Sequence, residues 1–165
     1  ATAAGPINVL ETFTARLADI EIFRGLPEEQ LAEIARSAER IVFRAGQPIL
    51  TRHATGDAAF IIMGGDAVAL DPDNPSAAPR PLAEGTLLGE LAMLIDHAYG
   101  VTVVARGSVR CLKLSRDTML RHMARQPELA EHFVSRITSR LTRVAVEMRR
   151  IDQILALAAD MQQPA

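Results

Sequence analysis

Glu84-Gly85-Thr86-Leu87-Leu88-Gly89-Glu90-Leu91-Ala92-Met93-Leu94, followed after a short loop by Val101-Thr102-Val103-Val104-Ala105, carries the densest chemistry of the chain. A glycine between a strand and a very short helix lets the backbone approach a ligand closely, while the first N–H groups of that helix lack intrahelical partners. Such a helix start attracts anions. Glu90, in the first turn, adds a carboxylate that accepts hydrogen bonds from sugar hydroxyls. Read from the residues alone, this is a site for a phosphorylated sugar inside a β-roll. A Gly-Glu helix start also occurs with nothing bound, the acid then serving only the helix dipole.

On either side lie short apolar or β-branched runs: Ile41-Val42-Phe43, Pro48-Ile49-Leu50, Phe60 to Met63, Ala67 to Leu70, Val101 to Ala105 and Val109 to Leu114. Ala45-Gly46, Thr55-Gly56-Asp57 and Gly64-Gly65-Asp66 supply turn chemistry between them. Pro72 to Pro81, with four prolines, reads as an exposed loop. Upstream, Ile7, Leu10, Phe13, Leu17 and Ile20 recur at helical spacing, and Pro27-Glu28-Glu29 opens a second helix to about Ala38. Downstream, Ser115 caps a short helix and Pro127 opens a long one toward Asp160. The expected fold is α+β. N-terminal helices (1–39) precede a β-roll, a double-stranded jelly-roll-like barrel (40–115, site segment 85–102), and C-terminal helices (116–165) follow it.

At 165 residues and 48% hydrophobic, the chain has material for one core. Twenty acidic residues against 18 basic ones leave a net charge of -2, no general pull toward nucleic acid or an anionic membrane. One cysteine, Cys111, excludes an internal disulfide and points to the cytoplasm. No apolar run reaches the roughly 18 to 20 residues of a membrane span, and Ala1 to Pro6 lacks signal-peptide order, so no membrane insertion is expected. His53, His97, His122 and His132 have no zinc-ligand spacing, so no metal is expected. Without a nucleophile elbow, a Walker loop or paired carboxylates, the chain does not read as an enzyme.

Within the long helix, Val134, Ile137, Leu141, Val144, Met148, Ile151, Leu155 and Ala158 alternate steps of three and four, a heptad seam. From Leu141 to Ala158 it runs about 26 Å. A homodimer through Ile137, Leu141, Val144, Met148, Ile151 and Leu155 is expected. Arg136, Arg140, Arg143, Arg149 and Arg150 against the single Glu147 form a basic, solvated stretch. No helix-turn-helix pair follows, so direct DNA binding by this chain is not expected.

The segment Gly89-Glu90-Leu91-Ala92 resembles the phosphate-binding cassette of the cyclic-nucleotide-binding domain family, the sensor domain of catabolite-activator-type regulators, kinase regulatory subunits and nucleotide-gated channels. The likeness extends over Ile22 to Pro27, Phe43 to Gln47, Thr55 to Ile62 and Leu112 to Arg116, in the family's order. It implies that Leu88, Gly89, Glu90, Leu91, Ala92, Tyr99, Gly100, Val101 and Thr102 surround a cyclic nucleotide. Glu90 would hold the ribose and the backbone amides would face the phosphate. Nine residues after the glutamate the family places an arginine on the phosphate; here that position is Tyr99. One neutral hydroxyl replaces a bidentate cation. If a hydrogen bond to a charged group is worth about 1.5 to 3 kcal/mol, binding weakens ten- to a hundredfold or more. Asp96 adds negative charge to the loop, and Thr51 to Thr55 lacks the family's glycine. The expectation is a regulatory sensor with weak or altered nucleotide binding. The competing expectation is a ligand-free pairing module whose pocket Tyr99 fills.

Overall fold

Apolar residues three and four positions apart build the first helices. The computed structural model describes residues 9–71 and 73–162; Ile7, the Ala1 to Pro6 start and Pro72 lie outside the described residues. Helix α1 (Val9–Ala18) buries Thr14 and Leu17, and α2 (Glu28–Ser37) buries Leu31, Ile34 and Ala35. Between them a 3-10 turn, Glu21–Phe23, buries Ile22 and Phe23. The first apolar stripe therefore outlasts its helix, Ile20 being buried just beyond it. Pro27 stands one position before the second helix, where its carbonyl accepts the N–H groups of Gln30 and Leu31.

Among the described residues eight strands follow: β1 (Glu39–Phe43), β2 (Pro48–Leu50), β3 (Thr55–Gly56), β4 (Ala58–Leu70), β5 (Arg80–Leu82), β6 (Leu87–Leu88), β7 (His97–Ala98) and β8 (Thr102–Ser115). Two expected breaks between strands are absent. Gly64-Gly65-Asp66 lies within β4, where the pairing with β8 shifts register twice and Gly65 takes φ 109°. The residues that looked like a turn are thus the bulged middle of one long strand. Likewise Val101 to Ala105 and Val109 to Leu114 belong to one strand, with polar Arg106 and Ser108 facing outward between the apolar halves. The proline-rich loop also ends sooner than expected, since Pro81 sits in β5 opposite Val68. An edge strand tolerates a proline that cannot donate to the ladder.

The two long strands β4 and β8 form an antiparallel spine. β1 and β2 pair with different halves of β8, and β5 and β6 with different halves of β4, which wraps one sheet into an α+β roll. β3 and β7 make a separate two-stranded ribbon. Inside the roll sit Ile49, Leu50, Phe60, Ile62, Val103 and Val109, with Phe43 edge-on to Phe60 at 5.8 Å. Cys111 is in this core, and burial pushes its thiol up to about 11, which keeps it unreactive.

Helix α3 (Arg116–Arg125) starts where Ser115 accepts the Thr118 N–H, as its sequence foretold, and packs on α2, β8 and the turn after β6. These elements form one compact unit, residues 1–126. A second unit, residues 127–165, contains the single helix α4 (Pro127–Gln162). No helix among the described residues is long and apolar enough to cross a membrane. No group of three or more His, Cys, Asp or Glu gathers among them as a metal site would require.

Candidate functional site

The site is assembled by short pairings around Gly89. β6 pairs with Phe60 and Ile61, which delivers the chain to Gly89 in the left-handed region at φ 69°. Glu90–Met93 then forms a 3-10 turn rather than an α-helix, closed by Ala92 N–H on the Gly89 carbonyl at 3.0 Å. Ala92 and Met93 are buried beneath it. A cavity of about 210 Å³ opens beside the turn, lined by Gly89, Glu90, Leu91, Ala92, His97, Ala98, Tyr99 and Gly100.

Tyr99 closes one side. Its N–H donates to Ala54 and its carbonyl accepts from His53, extending the ribbon of β3 and β7. The hydroxyl donates to the Ala58 carbonyl at 2.8 Å. A Cβ on Gly56 would run into the ring, and one on Gly89 would lie 2.6 Å from its Cε1. The two glycines therefore clasp the ring from different elements, and it packs against the core. Burial raises the Tyr99 phenol above its ordinary range; Asp57 adds to the rise, while the Ala58 hydrogen bond and Arg116 oppose it. His53, standing where the sequence lacked a glycine, takes φ 71° itself. The turn keeps a left-handed residue at the strain of a side chain.

The residues singled out in the sequence divide. Gly89, Glu90, Leu91, Ala92, Tyr99 and Gly100 line one cavity. Leu88 belongs to the core and Val101 packs against it. Thr102 does not line the cavity: its Oγ1 accepts the Arg52 N–H at 3.0 Å. Asp96 is countered, since Arg116 reaches it at 3.7 Å. Arg116 also donates to the Gly56 carbonyl at 3.3 Å and, through its backbone N–H, to the Asp57 carbonyl at 2.7 Å. The sequence had marked Arg116 only as part of a resemblance; its polar grip on both ends of the site needed the fold to be visible.

The description of the family known as the cyclic nucleotide-binding domain matches residues 40–126, spanning the roll, the Gly89 turn and α3. The chain belongs to that family. This cyclic-nucleotide-binding domain is 30% identical over 106 residues to a cAMP-dependent protein kinase regulatory subunit of Mucor circinelloides f. lusitanicus, covering 64% of this chain and 25% of the relative. It is 28% identical over 111 residues to the regulatory subunit of the same kinase from Blastocladiella emersonii, covering 66% and 28%. The chain thus spans about a quarter of the length of these curated relatives. Among solved structures it resembles a cyclic nucleotide-binding-like protein from Brucella abortus bv. 1 str. 9-941, with TM-score 0.62, 26% identity and coverage of 68% of this chain and 98% of that one. It shares its fold with the N-terminal domain of a transcriptional regulator from Streptomyces coelicolor A3(2), at TM-score 0.69, 22% identity and coverage of 81% and 94%.

Proposed function

We propose that this cyclic-nucleotide-binding domain is a regulatory sensor with an atypical cassette, holding a cyclic nucleotide weakly at Gly89 to Ala92, Tyr99 and Gly100. The observation that carries the reading is the cavity of about 210 Å³ beside Gly89-Glu90-Leu91-Ala92, within the stretch the family matches. Glu90 lines it, in place to take ribose hydroxyls. Tyr99 supplies no cation, so the affinity falls below that of a cassette with arginine.

The signal passes from the cassette to α3. Arg116, in the first turn of α3, fastens that helix to Gly56, Asp57 and Asp96, and α3 packs on the cassette turn. A ligand that prefers one arrangement of these contacts shifts the C-terminal helices and a homodimer built on α4. The module works without chemistry of its own, in a cytoplasmic setting that suits its single buried thiol.

A second reading has its own support. The Tyr99 ring, clasped by Gly56 and Gly89 and bonded to Ala58, fits a plugged pocket in a ligand-free pairing module. Calorimetry with cyclic AMP and cyclic GMP separates the two. Binding to the wild type that Glu90→Ala abolishes supports the sensor. No binding to the wild type, with binding created by Tyr99→Arg, supports the plug.

A further inference from the structure

Gly100 belongs to two cavities. Besides the one at the cassette, a neighbouring cavity of about 290 Å³ is lined by Arg52, Arg80 and Asp71 with the apolar Ala69, Leu70 and Val101. The guanidinium missing at position 99 is thus matched by two at the adjoining cavity.

Arg52 is held in place by the same segment that carries Tyr99 and Thr102. Its N–H donates to Thr102 Oγ1, and the next residue, His53, donates to the Tyr99 carbonyl at 2.9 Å. Its guanidinium meets Asp73 at 2.5 Å, a carboxylate 76% exposed. Asp73 raises the Arg52 pKa and Arg52 lowers that of Asp73, as a pair does. Asp71 accepts the Asp73 N–H at 3.0 Å within the loop. Arg80, exposed on the edge strand β5, has no carboxylate partner among the described residues. Exposed ion pairs are weak, so a bound anion can take the place of Asp73.

We propose that this second cavity receives the far end of a ligand anchored at Gly89 to Ala92, and that this end is negatively charged and sits on Arg52 and Arg80. The ligand then carries two anionic groups, and Asp73 is a built-in competitor for one of them. The inference rests on the sensor reading and names its ligand class.

Calorimetry on the whole chain compares cyclic AMP, with one phosphate, and cyclic di-AMP, with two. Cyclic di-AMP binds at least tenfold more tightly. Arg80→Gln brings the ratio of the two affinities to within about twofold, and Asp73→Asn raises the cyclic di-AMP affinity several-fold. Both positions are exposed, and unchanged circular dichroism checks that the variants fold. Equal affinities, or a ratio that Arg80→Gln leaves intact, overturn the inference while cyclic AMP binding keeps the sensor reading. Absence of heat with both compounds in the wild type, Asp73→Asn and Tyr99→Arg overturns both.

Discussion

Tyr99 makes the strongest single-residue argument, because its ring needs two other residues to be glycine. Gly56 does not take a left-handed φ, and the atoms nearest to an added Cβ there all belong to the ring. Overpacking of this kind costs about 1 to 3 kcal/mol. Gly56→Ala should lower stability by that amount in urea denaturation, and most of the loss should vanish when Tyr99→Ala is added, because the two changes share one contact. Equal costs in both backgrounds would remove the clasp from the account. Tyr99→Phe tests the hydroxyl separately, with an expected loss of about 0.5 to 1.5 kcal/mol for the bond to Ala58. The sequence placed tyrosine at this position and named both pocket filling and ligand contact as its roles. It could not choose, since the direction of the ring depends on Ala58 and Gly56, more than forty residues away in the chain.

At the scale of elements, the contact between α2 and α3 turns on Ser37 and His122, which meet at 2.9 Å. Ser37 Oγ also lies 2.8 Å from the Ile34 carbonyl, so the serine bridges the end of α2 and the His122 ring. Burial lowers the His122 pKa; Arg125 and Arg121 push the same way and Glu33 opposes them. The folded state therefore keeps this imidazole neutral where the unfolded chain protonates it. Above pH 6.5 both states are neutral and the group has no effect; as pH falls below 6.5 the unfolded state gains the proton and stability drops. Melting temperatures from pH 8 to pH 5 should decline on the acidic side, and His122→Gln should flatten that decline. A variant as steep as the wild type would place the acid sensitivity elsewhere. No sequence rule pairs a serine with a histidine 85 positions away. The Ser115 cap, by contrast, was legible because cap and helix are neighbours. The break inside β4 was misread for a related reason: glycines signal a turn locally, and only the long partner strand β8 carries the ladder through them.

For the whole molecule the issue is what covers α4. Leu141, Met148 and Leu155 are 63%, 59% and 62% exposed, and Val144 and Ile151 are exposed beside them, whereas Ile137 is half-buried. A helix of 36 residues, about 54 Å long, carries this exposed stripe, which the proposed homodimer would cover. The heptad places Leu141, Met148 and Leu155 at a and Ile137, Val144 and Ile151 at d. In parallel coiled coils, leucine at a with isoleucine at d pulls toward assemblies larger than two, so the proposed homodimer is a demanding expectation. Sedimentation equilibrium of the whole chain should return twice its mass of 17.9 kDa, and Leu141→Glu with Met148→Glu should return the monomer. Neither position is buried, so the double variant should fold, and its melting temperature should lose the concentration dependence that an assembled wild type must have. A fourfold mass would mean that the a and d identities decide the assembly, and an unassociated wild type at 100 µM would end the pairing account altogether.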